Sequence, residues 1–233
     1  MPERVGIGRR LRDTLDVRYE DLVRPGRKPG RAWLLDPRRL EILLAAAAYP
    51  GIHLRSASRL LLSPLPTLRY QVRILESRGI LVTRRQRSRV HLFVPRMFPA
   101  KWERLLEAWQ DPDGRKVIAF LRGGERLPSA RLLESLGMSP RALTRTLSWL
   151  RSQGVVRQGR SQGEEWYRLS AGWVSFERGC RSGAEERLER FLAVLRADDL
   201  HPAIESIEGD RARITVDGRR SRIRFVLPLD PLG

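Results

Sequence analysis

Four arginines fall within six positions in the stretch LVTRRQRSRVHLFV, residues 81–94, between two runs that read as β-strands. A guanidinium is permanently charged and holds its donors in a fixed fork. Arg84, Arg85, Arg87 and Arg89 at a hairpin tip therefore have the chemistry to grip a polyanion. Other reactive residue types are dispersed. His53, His91 and His201 are scattered and none stands at ligand spacing from the lone Cys180, so each is expected at the surface or half-buried. The two glycines of GIGRRLR (6–12) lack a preceding strand and the rest of a phosphate-loop pattern. No serine sits in a nucleophile-elbow context. The chain is expected not to be an enzyme and to carry no cofactor and no metal.

The elements that position these arginines belong to a chain of 233 residues, long enough for two or three small cores. Its 45 Lys+Arg against 27 Asp+Glu give a net charge of +18. The sequence pI is about 11.5. Such an excess points to nucleic acid or an anionic membrane as partner. The excess is unevenly placed: +4 over residues 1–34, +9 over 35–99, +5 over 100–174 and zero over 175–233. A general compositional bias would spread; this charge stops at residue 174.

A single cysteine excludes an internal disulfide and suits a reducing interior. The longest apolar run, LEILLAAAAY, is broken by Pro50 after ten residues, too short to span a bilayer. The N-terminal MPERVGIGRRLRDTLDV has no uninterrupted apolar core and does not read as a secretory signal. A cytoplasmic, nucleoid-associated location and no membrane partner are expected.

The middle of the chain repeats itself. LRYQVRILESRGILV (68–82) aligns without a gap on LTRTLSWLRSQGVVR (143–157), an offset of 75 residues. Leu68, Val72, Leu75, Gly79 and Ile80 fall on Leu143, Leu147, Leu150, Gly154 and Val155. The pattern is an amphipathic helix closed by a C′ glycine and running into a strand. Upstream, DPRRLEILLAAAAYP (36–50), with Asp36 as N-cap and Pro37 at the first helical position, matches DGRKVIAFLRGGE (113–125), ended by Gly123 and Gly124. A short helix follows in each copy, LRSASRLLL (54–62) and PSARLLESLG (128–137), the latter with Ser129 as a plausible cap. Two strands around a polar tip close each copy, 80–83 with 90–94 and 155–158 with 165–169.

This order of three helices and a hairpin, with the exits SRGILV and SQGVVR, resembles the winged helix-turn-helix domain. The resemblance covers roughly residues 36–95 and 112–170, and the doubled unit is similar to archaeal-type tandem winged-helix transcriptional regulators. It implies a mainly α fold with small β-hairpins (α+β), two winged-helix domains at 35–97 and 114–174, and double-stranded DNA as partner. It also implies that each third helix enters the major groove and presents its outward face to base edges. With the apolar stripe inward, those outward residues are Thr67, Arg69, Tyr70 and Arg73 in the first copy. In the second they are Arg141, Thr144, Arg145 and Ser148. Arginine can donate two parallel hydrogen bonds to guanine, which singles out Arg69, Arg73, Arg141 and Arg145 as readers. Arg84, Arg85, Arg87 and Arg89 would lie on the backbone, two or three of them in contact once strand alternation is allowed for. The second tip, RQGRSQGEEW, offers Arg157 and Arg160 offset by Glu164 and Glu165. Trp149, Trp166, Tyr167 and Trp173 are expected to pack rather than stack on bases.

Around the repeats, residues 1–34 read as a basic arm, with RPGRKPGR (24–31) extended, and residues 98–113 as a linker helix with Trp102, Leu105, Leu106 and Trp109 along one side. Residues 175–233 read as a small α+β regulatory or dimerisation module with one helix (183–199) and two or three strands, 203–208, 211–216 and 219–227. It is a candidate site for homodimerisation, and the sequence names no effector. Three functions fit: a transcriptional regulator, an architectural chromatin protein with little sequence preference, and a protein-interaction scaffold built on winged helices.

Overall fold

The computed structural model describes residues 15–21, 34, 36–86, 88–161, 163–217 and 221–233. Within them the chain is a mixed α+β protein with three small antiparallel sheets. In chain order, β1 (Arg18–Asp21) is followed by α1 (Pro37–Ala48), β2 (Ile52–His53), α2 (Leu54–Leu60), α3 (Leu65–Ser77), β3 (Val82–Gln86) and β4 (Arg89–Phe93). A 3-10 turn, Ala100–Trp102, leads into α4 (Glu103–Gln110), α5 (Pro112–Leu121), β5 (Leu127–Pro128), α6 (Ser129–Leu136), α7 (Pro140–Ser152), β6 (Val156–Ser161) and β7 (Glu164–Leu169). Then come α8 (Ala171–Ser182), α9 (Ala184–Ala197), β8 (His201–Glu208), β9 (Arg211–Asp217) and β10 (Ser221–Pro228).

The internal repeat is structural. α1, β2, α2 and α3 start at 37, 52, 54 and 65, and α5, β5, α6 and α7 at 112, 127, 129 and 140, a constant offset of 75. Each copy ends in a hairpin whose second strand also takes the short early strand, giving sheet orders β2-β4-β3 and β5-β7-β6. The same local chemistry starts the first helices. Asp36 accepts from the Arg38 N–H at 2.9 Å with Pro37 next, and Asp111 accepts from the Gly114 N–H at 3.0 Å with Pro112 next. The second copy thus begins at Asp111, two residues before the start at Asp113 suggested by the alignment. Ser129 is the first residue inside α6 and makes no capping bond; Pro128 occupies the cap position. Ser139 caps α7 instead, accepting from the Ala142 N–H at 3.3 Å. Replacing Asp36 or Asp111 by alanine should each cost about 1 kcal/mol, read as a lower midpoint in urea unfolding.

The third helices end alike. Gly79 (φ 69) and Gly154 (φ 74) take the left-handed conformation, and Ile80 and Val155 donate back to Leu75 and Leu150, each at 2.9 Å. This capping motif turns the chain directly into the hairpin.

Two compact units divide the described residues. One gathers those up to 99 together with 183–231 and 233; the other holds 100–182 and 232. In the first, the C-terminal sheet has the order β1-β10-β9-β8. β1, from the segment read as an arm, pairs with β10, Arg18 opposite Arg224 and Tyr19 opposite Ile223. Leu188, Phe191, Leu192 and Leu195 of α9 are buried together with Ile214, Val216, Ile223, Phe225 and Leu227 of the sheet. Phe191 meets Phe225 edge-on, ring centroids 6.1 Å apart. The buried guanidinium of Arg187 donates to the Leu229 carbonyl at 2.6 Å and lies over the Phe98 ring. The Leu34 N–H donates to the Asp198 carboxylate at 2.6 Å. Residues 175–233 therefore divide at Gly183: α8 packs in the second unit, and α9 with its strands shares the first.

In the second unit α4 is separate from α5, because Asp111 is extended (ψ 125) where a single linker helix would have continued. Leu105, Leu106 and Trp109 are buried, while Trp173 and Phe176 of α8 are wholly enclosed. Trp102 packs edge-on against Phe176 at 5.3 Å.

Candidate functional site

Helix α3 buries Leu68, Val72 and Leu75, so geometry sends the residues between them outward. Arg69, Tyr70 and Arg73 are exposed, Tyr70 by 62%, and Thr67 is half-buried. The helix is held on both sides. Arg39 of α1 donates to Gln71 at 3.0 Å, and Thr83 of β3 donates to Glu76 at 2.5 Å. On α7, Leu143, Thr146, Leu147 and Leu150 are buried. Arg141, Thr144, Arg145 and Ser148 are exposed. Thr144 donates its hydroxyl to the Pro140 carbonyl at 2.9 Å, leaving its oxygen to accept from a ligand. Arg151 bonds to Gln158, tying α7 to β6.

Among the described residues, Arg69, Arg73, Arg141 and Arg145 have no hydrogen-bond or ion-pair partner. Each helix thus presents two arginines whose donor sets are available to a ligand.

The first hairpin divides its arginines between two faces. Arg84 stands opposite His91 and Arg89 opposite Gln86, which puts Arg84 and Arg89 on one face. Arg85, opposite Val90, shares the other face with Thr83, the residue bonded to α3. All three are exposed; Arg87 lies outside the described residues. In the second hairpin Arg160 stands directly opposite Glu165 and donates to the Gly163 carbonyl at 3.1 Å, while Arg157 stands opposite Arg168. Glu165 also accepts from the Tyr167 hydroxyl at 3.1 Å, and burial followed by this bond raises the Tyr167 pKa. Within that tip the arginine charge is locally answered by carboxylate.

Two arginines absent from the reading above belong with these. Arg55 and Arg59 of α2 are exposed, and from Leu54 to Leu75 the chain carries Arg55, Arg59, Arg69 and Arg73 with no acidic residue. The absence of any carboxylate over that stretch was the signal. The matching stretch of the second copy, 129–150, has Arg131, Arg141 and Arg145 with Glu134 among them.

The aromatic residues are partly packing and partly cation-bound. Trp173 and Tyr167 are buried. Trp149 and Trp166 are half-buried, and the Arg126 and Arg168 guanidiniums lie 4.7 and 5.6 Å from the Trp166 ring. His91 differs from expectation in being buried, its Nδ1 2.8 Å from the Gly51 carbonyl. Opposite it, His53 has its pKa lowered from 6.5 to about 4, first by burial, then by the charges of His91, Arg89, Arg55 and Arg59. A base whose folded pKa is depressed costs the fold nothing above 6.5, where it is neutral folded or unfolded, and an increasing penalty as pH falls toward 4 and the unfolded chain takes up the proton. Stability should therefore decline across that window, and His53→Asn should decline less steeply in unfolding measured at a series of pH values.

Among the described residues no group of three His, Cys, Asp or Glu is placed to hold a metal ion, and no helix is long and apolar enough to cross a membrane. A shallow depression on the C-terminal sheet gathers Arg18, Arg213 and Arg224 with Asp16 and Glu205. Its charges are largely answered: Arg18 pairs with Asp16 at 3.0 Å and Arg224 with Glu205 at 3.4 Å. The outward faces of α3 and α7 remain the strongest candidate site. No family model matches the chain, and no curated protein matches it.

Proposed function

We propose that this chain binds double-stranded DNA as a transcriptional regulator, with two winged helix-turn-helix domains whose third helices, α3 and α7, enter the major groove. The observation that carries the reading is the repeat itself. Two units of the same order, offset by 75 residues, each hold out from the equivalent helix two arginines without partners among the described residues. A solubilising surface has no reason to place a pair of arginines on the side away from the buried stripe of the equivalent helix twice.

In this reading Arg69, Arg73, Arg141 and Arg145 donate in pairs to guanine O6 and N7, and Thr67, Tyr70, Thr144 and Ser148 supply single contacts beside them. Arg84, Arg85 and Arg89 neutralise backbone phosphates and release counterions, which adds affinity without sequence preference. Arg157 and Arg160 add less, because Glu164 and Glu165 share their hairpin. The protein acts on the nucleoid in the cytoplasm, without a cofactor.

Mapping of bound DNA across the native genome tests the proposal. A regulator gives discrete peaks sharing a motif. Uniform coverage would instead make it an architectural chromatin protein, and no recovered DNA would leave the two units as protein-interaction surfaces.

A further inference from the structure

The turn between the second and third helices differs between the copies at one position. Leu62 and Gly137 are equivalent under the 75-residue offset, and both are left-handed, with φ of 48 and 58. The first turn is a complete helix-capping motif. The Leu62 N–H donates to the Arg59 carbonyl at 3.4 Å, the Ser63 N–H to the Ser58 carbonyl at 3.0 Å, and the Ser58 hydroxyl to the Ser63 carbonyl at 2.6 Å. Its left-handed position ordinarily belongs to glycine, because a Cβ there crowds the following carbonyl. The second copy follows that rule and the first does not.

Packing does not explain the leucine. Leu62 is 67% exposed, the most exposed large hydrophobic residue among those described. Backbone strain and apolar exposure are both unfavourable, and glycine in the sister turn relieves both. A residue that is unfavourable for the free protein on two independent counts points to a task performed in a complex. The surroundings identify the partner class. Leu62 lies in the segment 54–75, which carries Arg55, Arg59, Arg69 and Arg73 and no carboxylate, three residues before the start of α3. An exposed apolar side chain amid uncompensated arginines suits a polyanion that offers apolar surface between its charges. Duplex DNA does so, through thymine methyl groups in the major groove and deoxyribose faces beside it.

We infer that Leu62 is an apolar contact to DNA, packing on a thymine methyl or a deoxyribose, and that it makes the first repeat read DNA differently from the second. The inference rests on the DNA-binding reading above and adds a residue and a chemistry to it. The arginines supply attraction, and Leu62 adds an apolar contact at the groove edge.

The test uses the full-length chain and a pool of random-sequence 30-base-pair duplexes, made once with thymine and once with uracil at every thymine position. Leu62→Gly relieves the backbone, so its melting temperature should be no lower than the parent's. Its affinity for the thymine pool should nevertheless fall about three- to tenfold. Leu62→Asn, which tolerates the same backbone but is polar, should fall likewise. If the methyl is the contact, the uracil pool binds the parent correspondingly more weakly and binds Leu62→Gly no more weakly than the thymine pool does. If the sugar is the contact, both pools show the same loss on substitution. Unchanged affinity of both variants, with the parent binding well, would overturn the role of Leu62 and leave DNA binding intact. A parent that binds neither pool at low salt would remove the DNA reading itself.

Discussion

Raising the salt from about 0.05 to 0.2 M should weaken duplex binding by roughly a thousand- to a hundred-thousand-fold. The magnitude follows from the count of basic groups on the proposed faces. Contact with about six to ten phosphates across two units gives log K against log salt a slope of roughly −5 to −9. The first hairpin should carry a large share, because Arg84, Arg85 and Arg89 are exposed whereas the second tip sets Arg160 against Glu165. Alanine at Arg84, Arg85 and Arg89 together should flatten the slope by about 2 to 3 units, equally for every sequence. The division of these residues between two hairpin faces sharpens this. Arg85, on the α3-bonded face, and the pair Arg84 and Arg89 should contribute separably to the slope. Anisotropy titrations of a labelled duplex at four or five salt concentrations measure it. An unchanged slope in the triple variant would show that the first hairpin does not lie on the backbone.

Local chemistry with a fixed period was legible in the sequence. Asp36-Pro37, the stripe Leu68, Val72 and Leu75, and the glycine exits at 79 and 154 each state a helix boundary or face in a few adjacent residues. The helix α8 was equally legible and overlooked. Trp173, Phe176 and Cys180 recur at helical spacing and all three are wholly buried. Pairings across long separations were not legible. β1 is four residues, RYED, with no alternation of apolar and polar types, and its partner β10 lies some two hundred residues away. The capture of α9 and its strands by the first unit rests on contacts such as Arg187 with the Phe98 ring, Arg190 with the Arg96 carbonyl and Leu34 with Asp198. An arginine and an aspartate look the same in sequence whether they are solvated or satisfy a distant backbone group. The candidate site divided along the same line. The outward placement of Arg69, Arg73, Arg141 and Arg145 followed from helical period and their choice as readers from the resemblance to winged helix-turn-helix domains, whereas the backbone of Leu62 has no sequence signature except in comparison with Gly137.

The two third helices should read unlike half-sites. They present Thr67, Arg69, Tyr70 and Arg73 in one case and Arg141, Thr144, Arg145 and Ser148 in the other, and under the 75-residue offset Arg69, Tyr70 and Arg73 fall on Thr144, Arg145 and Ser148, so no equivalent position carries the same residue. Tyr70, 62% exposed, adds an aromatic face that the second copy lacks. A bidentate arginine–guanine pair discriminates by about 1 to 3 kcal/mol, so Arg69→Ala and Arg145→Ala should each cost that much on the preferred sequence. The arginines lie on different units, so the two losses should add within a few tenths of a kcal/mol. Binding selection from a random duplex library, run in parallel with the parent and both variants, measures all of this at once. The parent should enrich an asymmetric site with two distinct halves. Arg69→Ala should lose preference in one half and Arg145→Ala in the other. Enrichment of no motif, or loss of the same half in both variants, would contradict the reading of DNA by two helices.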